Sequence, residues 1–375
     1  MIKCKNCGYL NPEGSKFCEN CGASIEQNSS SQNEQQTENS QNNQMPNKSP
    51  KNRKPIIIGI IVLLLILAAG YGYMKSQDSD DDTRTENTEK SDHDDDDSDD
   101  ESDDHDDDKS DSDVKTLMSN NLSNIKGDTS AYYYDLNNNS TASYGDANSA
   151  QRAASDIKVY IMAAAFQKIK DGDISLNDRY ELTSDDKVGG TGIVQDMQVG
   201  DSLTYRDLID YMITKSDNTA ANIITREIGG ISSVNSEIDK LDLSSSTKME
   251  RMLMDQDALD EGKDNMTSAH DLAVFMKKLY RHDVVSAKYD KKMLEILSNT
   301  SNHSKIPAKI NTNVVDVYNK TGEYADYGVE NDAAILKHGN KAFVLVVMSQ
   351  NGDSDEQKDA ISSLGKDVTQ EVFDD

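Results

Sequence analysis

The stretch Ala154-Ser155-Asp156-Ile157-Lys158 stands at the start of a predicted helix. One buried face is predicted from apolar residues that recur at helical spacing, namely Ile157, Tyr160, Ile161, Ala164, Ala165 and Phe166. Ser155 and Lys158 are three residues apart, so their side chains project from neighbouring positions on one face of that helix. The segment therefore places a hydroxyl beside an amine at the beginning of a helix.

Ser155 and Lys158 are residue types of nucleophilic catalysis. A serine hydroxyl is a weak nucleophile until a base takes its proton, and a lysine amine can act as that base when burial or a nearby cation lowers its pKa. Backbone N–H groups at a helix start can also stabilise a developing oxyanion. The alternative is that Ser155, followed by Asp156, only caps the helix, because Ser-x-x-Lys also occurs by chance.

Length and charge set broad limits on the whole chain. Its 375 residues are enough for two or three domains, and its net charge is −29 from 68 acidic and 39 basic residues. Much of the acidic excess lies in one run, so the charge describes a segment rather than a surface. Such a chain is not typical of nucleic-acid binding, and no nucleic acid partner is expected.

Two Cys-x-x-Cys-Gly sequences lie near the N-terminus and contain all the cysteines of the chain. Four thiolates at this spacing predict a tetrahedral zinc site, and the metal would supply folding free energy that so short a segment lacks. A pair of disulfides or a redox dithiol is the alternative. The segment resembles the small zinc-ribbon modules of bacterial membrane proteins. We therefore expect residues 1–26 to form a zinc ribbon with a structural Zn²⁺ on Cys4, Cys7, Cys18 and Cys21.

Residues 27–113 divide into three segments of different composition. Residues 27–54 are rich in Gln, Asn and Ser and predict a disordered linker. Residues 55–75 predict a transmembrane helix, because Ile56–Met74 carries no charge and is long enough to cross a bilayer; a buried core helix is the alternative. Residues 76–113 are mostly Asp and Ser and predict a disordered acidic spacer, with weak calcium binding as the alternative.

The charges that flank residues 55–75 predict an orientation in the membrane. Basic residues precede this segment and acidic residues follow it, so the N-terminus is expected in the cytoplasm. A reduced zinc site also belongs in that compartment. The sequence thus predicts a single-pass protein of the cell membrane whose C-terminal domain, residues 114–375, lies outside the cell.

Residues 114–375 have the composition of a globular domain with strands at both ends and a mainly helical middle, from 155 to about 280. This order predicts an α/β (α+β) fold in which one antiparallel five-stranded sheet is flanked by helices and joined to a helical lobe. A helix is predicted at Leu117–Ile125 and a closing helix at about Asp355–Val372. The predicted strands are Ala131–Leu136, Thr141–Tyr144, Val314–Lys320, Asp332–Lys337 and Ala342–Met348.

Two further motifs follow the first one along the chain. Ser216-Asp217-Asn218 lies 61 residues after Ser155, and Lys320-Thr321-Gly322 lies 104 residues after Ser216, at the end of an apolar strand. In this order and at this spacing, the three motifs resemble the signature of class A β-lactamases and penicillin-binding proteins. The sequence around Thr204–Leu208, Thr219–Asn222 and Gly229-Gly230 is similar to that family as well.

The resemblance implies a role for each motif residue. Ser155 would become acylated, Lys158 would take its proton directly or through a water, and Ser216 would pass a proton to the leaving nitrogen. Backbone N–H groups of Ser155 and Glu323 would form the oxyanion hole. Substrate binding would fall to Asn218, Lys320, Thr321, Gly322 and Glu323.

One departure from the family pattern concerns deacylation. Efficient class A enzymes place a glutamate in a Glu-x-x-Leu-Asn setting to activate water, whereas Gln256-x-x-Leu259-Asp260 occupies that pattern here. Glutamine is not a base at neutral pH, so acylation is expected to be intact and deacylation doubtful; Asp255 or Asp257 is an alternative base. The substrate is expected to be a β-lactam or a peptidoglycan stem peptide. The alternatives are a D,D-peptidase and a non-catalytic sensor of wall peptides.

Overall fold

The computed structural model describes residues 2–3, 10–11 and 107–374. Near the N-terminus, strands β1 (Ile2–Lys3) and β2 (Leu10–Asn11) pair antiparallel and enclose the first Cys-x-x-Cys sequence between them along the chain. The four cysteines, the linkers and the predicted span 55–75 lie outside the described residues. Among the helices that are described, none has the length and apolar character needed to cross a membrane.

The C-terminal domain contains strands and helices in the order that the sequence predicts. Its strands are β3 (Asp128–Asp135), β4 (Thr141–Tyr144), β5 (Gln151–Arg152), β6 (Arg179–Glu181), β7 (Ser202–Thr204), β8 (Met266–Thr267), β9 (Asp316–Tyr324), β10 (Val329–His338) and β11 (Lys341–Gln350). Its helices are α1 (Asp107–Leu122), α2 (Ile157–Asp171), α3 (Tyr205–Thr214), α4 (Asn218–Glu227), α5 (Ile231–Lys240), α6 (Gln256–Asp260), α7 (Ala269–Arg281), α8 (Ala287–Ser298) and α9 (Ser354–Asp374).

The main sheet has five strands in the order β4-β3-β11-β10-β9, and every neighbouring pair is antiparallel. Strand β11 lies at its centre and is apolar along its length because both of its faces are covered. Phe343, Leu345 and Val347 pack with α1 and α9 on one face, while Val344 and Val346 pack toward the helical lobe on the other. The predicted antiparallel five-stranded sheet flanked by helices is confirmed.

Two details of the helices differ from the sequence predictions. Helix α1 begins at Asp107, so it includes the last residues of the segment 76–113 that was predicted as a disordered spacer. Helix α2 was predicted to bury one face, but every residue from Ile157 to Phe166 is buried. The reason is its position, because α2 contacts α3, α4, α5 and α8 and runs through the middle of the helical lobe.

Local capping fixes the helices that carry the second motif. Thr204 and Asp207 form a capping box at the start of α3, where each side chain accepts a hydrogen bond from the other residue's backbone N–H. Asp217 caps α4, and its Oδ1 accepts a hydrogen bond of 2.8 Å from the backbone N–H of Ala220. The Ser-Asp-Asn motif therefore occupies the turn between two helices whose ends are well defined.

Candidate active site

Ser155 lies on a short 3-10 turn, Ala154–Asp156, immediately before α2. Ala154 has φ +47°, in the left-handed region that non-glycine residues rarely adopt, and such strain is concentrated at functional sites. The side chain of Ser155 lines a cleft of about 340 Å³. Neither the 3-10 turn nor α2 has a side-chain cap at its N-terminus, so the interpretation of Ser155 as a helix cap is wrong.

Lys158 is completely buried in the first turn of α2, and its amine contacts both of the first two motifs. Its Nζ lies 3.0 Å from Ser155 Oγ and 3.1 Å from Ser216 Oγ. The backbone oxygen of Ser216, at 2.5 Å, and Asn218 Oδ1, at 2.8 Å, are also within hydrogen-bond distance. These four oxygens surround the amine beside the candidate nucleophile.

The Ser-Asp-Asn motif is held by a glycine-rich loop, residues 189–192. Ser216 has φ +50° and its backbone oxygen accepts a hydrogen bond of 2.7 Å from Thr191 Oγ1. Asp217 is completely buried, and its Oδ2 accepts hydrogen bonds from the backbone N–H groups of Ile193 and Val194. A Cβ on Gly192 would lie 2.4 Å from that Oδ2, so only glycine allows this close approach.

Lys320 on β9 joins the third motif to the second. Its Nζ is almost fully buried and donates to Ser216 Oγ at 3.0 Å and to the backbone oxygen of Thr321 at 2.6 Å. Ser216 Oγ therefore lies between the amines of Lys158 and Lys320. Thr321 and Glu323 line the cleft with Ser155, while Gly322 packs behind it against Ala153 and Asp156.

The two buried lysines differ in their electrostatic surroundings. Burial, and then the positive charge of Lys320, lower the pKa of Lys158 well below its ordinary value, although Asp217 and Asp156 oppose this. Burial lowers the pKa of Lys320 to about 8, and the negative charge of Asp156 limits the decrease. Lys158 is therefore the amine that loses its proton more readily, while Lys320 keeps its charge at neutral pH.

A loop between two ion-paired residues forms the opposite wall of the cleft. Arg251 Nε donates to Asp264 Oδ1 at 2.8 Å, and both side chains are largely buried. Within the loop, the side-chain amide of Asn222 bonds to both backbone groups of Leu253, at 2.8 Å from its N–H and 2.9 Å from its C=O. Leu253 is thereby fixed with its side chain buried at the cleft.

Gln256 lines the cleft but is not held inside it. It is exposed at the start of α6, and its amide donates to Asp260 Oδ1 at 2.7 Å, although it also lines the cleft. The alternative base Asp255 caps α6 by accepting from Ala258 N at 3.1 Å, and Asp257 is exposed on that helix. Of the two cleft-lining residues Leu253 and Gln256, Leu253 is the buried one whose backbone is held, because Asn222 bonds to its N–H and C=O groups.

Glu323 is paired behind the cleft with a lysine that the sequence analysis missed. Lys305 is completely buried, and its Nζ lies 2.8 Å from Glu323 Oε1 and 3.1 Å from Glu330 Oε2. Burial alone would raise the pKa of Glu323, but the ammonium of Lys305 lowers it to about 2. Lys305 has no motif around it in the sequence, so only its place opposite β9 and β10 shows what it does.

The structure brings together the predicted catalytic residues Ser155, Lys158 and Ser216, with Asn218 and Lys320 in hydrogen-bond contact with them. The serine is paired with a buried lysine beside an antiparallel sheet and a helical lobe. This arrangement is typical of one class of active-site-serine proteins. The chain belongs to the beta-lactamase enzyme family, whose family model matches residues 110–372. Residues 3–25 match the model of the zinc-ribbon domain.

Individual relatives agree with this family at low identity. A beta-lactamase from Bacillus licheniformis is 29% identical over 209 residues, which cover 55% of this chain and 66% of that protein. Beta-lactamase PSE-4 from Pseudomonas aeruginosa is 26% identical over 237 residues, covering 60% of this chain and 79% of that protein. This chain thus spans about two thirds to four fifths of these relatives.

Solved structures share the fold of the C-terminal domain. PBP-A aligns with a TM-score of 0.62 at 23% identity, covering 69% of this chain and 95% of that one. A beta-lactamase from Sphaerobacter thermophilus aligns with a TM-score of 0.63 at 24% identity, covering 70% and 96%. At these identities the comparison supports the fold alone.

Proposed function

We propose that the C-terminal domain forms an acyl-enzyme at Ser155 with a β-lactam or a peptidoglycan stem peptide and releases it slowly. The observation that carries this proposal is the completely buried Lys158, whose Nζ lies 3.0 Å from Ser155 Oγ. A buried amine with a lowered pKa is neutral often enough to accept the proton of that hydroxyl.

Acylation follows a continuous path of hydrogen bonds. Ser155 Oγ attacks the substrate carbonyl carbon while Lys158 Nζ takes its proton, and the carbonyl oxygen becomes an oxyanion near the backbone N–H groups of Ser155 and Glu323. Collapse of this intermediate breaks the C–N bond. Ser216 Oγ, 3.1 Å from Lys158 Nζ, gives its proton to the leaving nitrogen and regains one from that lysine.

The same residues leave groups free for substrate binding. One amide N–H of Asn218 is bonded to the Gly189 carbonyl at 3.1 Å and its oxygen to Lys158, so its second N–H can donate to a substrate carbonyl. Lys320 supplies positive charge beside the cleft for a substrate carboxylate, and Thr321 lines the same wall. Gly322 leaves room behind that strand for the turn that carries Ser155.

Slow release follows from the opposite wall of the cleft. Leu253 is held there by Asn222, and leucine cannot activate a water. The carboxylates that line the cleft in the described part of the chain, Asp255 and Glu323, are committed to Ala258 N and to Lys305.

Fluorescent penicillin tests the proposal on the full-length protein. The wild type should become covalently labelled, and Ser155→Ala should not. Ser202→Ala is the matched control, because Ser202 is exposed and bonds to Arg179 outside the cleft. Labelling of Ser155→Ala would show that another residue is the nucleophile, and no labelling of the wild type would favour a sensor that binds wall peptides without reacting.

A chromogenic cephalosporin separates the two enzymatic alternatives. A burst of one equivalent that then stalls is expected for an acyl-enzyme that deacylates slowly, as in a penicillin-binding D,D-peptidase. Sustained turnover at a rate comparable to the burst would instead identify a working β-lactamase and contradict slow release.

We also propose, from the N-terminal segments, where in the cell the C-terminal domain acts. Cys4, Cys7, Cys18 and Cys21 supply four thiolates that fit a structural Zn²⁺, and the zinc-ribbon match at residues 3–25 supports this use. The uncharged run within residues 55–75 would anchor the chain in the cell membrane, with the ribbon in the cytoplasm and the domain outside. Protease treatment of intact cells should then remove the domain and leave the ribbon protected.

A further inference from the structure

A second cavity, of about 990 Å³, adjoins the cleft that contains Ser155. Ser155 lines the cleft, whereas Lys320 lines the second cavity, and the hydroxyl of Ser216 lies 3.0 Å from Lys320 Nζ. The boundary between the two spaces is formed by the residues that line both, namely Thr191, Ser216, Asn302, Thr321, Glu323 and Ala325. We call the second space, on the Lys320 side of this boundary, the amine-side cavity.

The amine-side cavity lies where the leaving part of a substrate would extend. In the proposed acylation, the acyl part becomes bonded to Ser155 Oγ in the cleft, and Ser216 Oγ gives a proton to the leaving nitrogen. A nitrogen that accepts this proton lies at the boundary between the two spaces. With the acyl part in the cleft, the rest of the amine part then extends to the side of Lys320.

The two spaces differ in size. The cleft has a volume of about 340 Å³ and the amine-side cavity one of about 990 Å³. Pockets that hold drug-sized ligands have volumes of about 300–1,000 Å³, so the amine-side cavity is at the upper end of this range. A single terminal amino acid would leave most of it unfilled, whereas a peptide of several residues would occupy it.

Hydrogen bonds fix one wall of the amine-side cavity. Ser301 Oγ donates to the backbone oxygen of Thr214, at the end of α3, at 2.9 Å. Thr300 Oγ1 donates to the backbone oxygen of Asn319 on β9, also at 2.9 Å. The segment 300–304 is thereby tied to both α3 and β9, so this wall is formed before a ligand binds.

The charged groups of the amine-side cavity favour a ligand with a carboxylate. Lys358 is paired with Glu330 at 3.1 Å, and Asp353 accepts hydrogen bonds from two backbone N–H groups in the first turn of α9. Glu323 is held by the ion pair behind the cleft. Lys215, by contrast, is exposed and lines the cavity. Its ammonium therefore remains accessible to a carboxylate of the ligand.

We propose that the amine-side cavity binds the amine part of the substrate, and that this part is a peptide of several residues with a carboxylate. The inference rests on the proposed acylation at Ser155 and narrows its substrate class to peptides cleaved at an internal amide, such as a cross-linked stem peptide. The C–N bond breaks, the acyl part stays on Ser155 Oγ, and the peptide leaves as a free amine with the proton from Ser216. Lys215, directly before Ser216 in the chain, is the specificity-determining residue.

Release of the amine part from two synthetic peptides by the full-length protein tests the proposal. Both peptides have the same acyl part, which ends in D-alanine. In one, the scissile amide joins it to a single D-alanine; in the other, to a three-residue peptide with a free carboxylate. In single turnover below saturation, which reports acylation even when deacylation is slow, the longer peptide should release its amine part about tenfold faster. Equal rates, or faster release from the shorter peptide, would overturn the inference.

Substitution of Lys215 tests the specificity-determining role. Lys215→Met should reduce the preference for the longer peptide about threefold, and Lys215→Glu should reduce it further, because the introduced carboxylate repels that of the ligand. The ratio of the two rates is measured within each variant, so a general loss of activity cancels. Lys291→Met is the matched control and should keep the wild-type ratio, since Lys291 is exposed on α8 and lines neither of the two spaces. A wild-type ratio in Lys215→Glu would contradict the role of Lys215.

Fluorescent penicillin separates this inference from the proposed function. The nitrogen of a β-lactam stays tethered to the acyl part after the ring opens, so labelling does not require a departing peptide. Labelling of the wild type without any preference between the two peptides would overturn the inference alone. Absence of labelling, together with no release from either peptide, would overturn the proposed acylation itself.

Discussion

The two walls of the cleft carry opposite kinds of chemistry. On one wall, Lys158, Ser216 and Lys320 form a continuous set of hydrogen bonds that leads to Ser155. On the other, Leu253 contributes a buried aliphatic side chain to the lining of the cleft. Under the proposed function, this difference separates two half-reactions at one serine, because the first wall would support acylation and the second would not speed release.

Hydrogen bonds hold both walls of the cleft in place, so the two walls differ in their chemistry rather than in how well they are ordered. Asn222 holds Leu253 through two backbone hydrogen bonds, and Arg251 and Asp264 close the ends of its loop with an ion pair. The polar wall, formed by Lys158, Ser216 and Lys320, is also held in place, because Asp217 accepts hydrogen bonds from the backbone N–H groups of Ile193 and Val194. Under the proposed function, a buried leucine held at this position favours retention of the acyl group.

Removal of the base should have the largest effect on the polar wall. Lys158→Met keeps the length of the side chain but removes the proton acceptor, so acylation by penicillin should slow about 10³-fold. Lys168→Met on the same helix is the control, since the Lys168 side chain is partly exposed and pairs with Asp173. Stopped-flow labelling checks both; acylation of Lys158→Met within tenfold of the wild type would mean that another group takes the proton.

Leu253→Glu should give the second wall of the cleft an ionisable side chain that can act as a base. A carboxylate at this position could activate water, so deacylation should accelerate about 10²-fold and a stalled cephalosporin burst should become turnover. Gln256→Glu is the control and should change little, because Gln256 is exposed on α6. If Gln256→Glu accelerated deacylation and Leu253→Glu did not, the register read from the sequence would be right and the one from the structure wrong.

Gly192→Ala should displace Asp217, which supports the Ser-Asp-Asn motif of the polar wall. The new Cβ would come within 2.4 Å of the Asp217 carboxylate at a φ of +124°, which should lower the free energy of unfolding by about 3 kcal/mol and reduce labelling. Gly200→Ala has a φ of +92° but no atom within 4 Å, so it should cost only about 1 kcal/mol and label normally. Equal losses in chemical denaturation would show that the contact with Asp217 is unimportant.

In the wild type, the dependence of the acylation rate on pH should reflect the titration of both Lys158 and Lys320. Because the pKa of Lys158 is lowered, acylation should rise with pH as this amine loses its proton, and this rise should occur well below the ordinary pKa of a lysine. Because the pKa of Lys320 is about 8, acylation should fall again above that pH, up to tenfold per unit. A profile that keeps rising to pH 10 would show that the charge of Lys320 is not needed.

The sequence predicted the polar wall well and the apolar wall poorly. The spacing between Ser155 and Lys158 and the order of the motifs follow from short patterns that also set local structure, so the predicted site residues could be named in advance. Leu253 could not, because its register depends on Asn222, 31 residues away, and on the ion pair at the ends of the loop. The charges of Arg251 and Asp264 at these two ends were the signal available in the sequence.

Burial was the other property that the pattern did not show. Asp156 and Lys305 are charged residues, which are usually exposed, and both are completely buried because β9 and β10 pack against the segments that carry them. Helix α2 likewise has a sequence with lysines near its end, yet its first ten residues are enclosed on all sides. Tertiary packing decided the burial of Asp156 and Lys305, whereas the almost uninterrupted apolar run of α2 was a sign of its burial in the sequence.

Intact-protein mass spectrometry after mixing with penicillin tests the central claim most directly, because it follows acylation and release in one experiment. The account predicts one penicillin adduct per chain, located on the peptide that contains Ser155, which persists after excess penicillin is removed and disappears rapidly in Leu253→Glu. A wild-type mass that returns to its unmodified value as quickly as penicillin is consumed would contradict it.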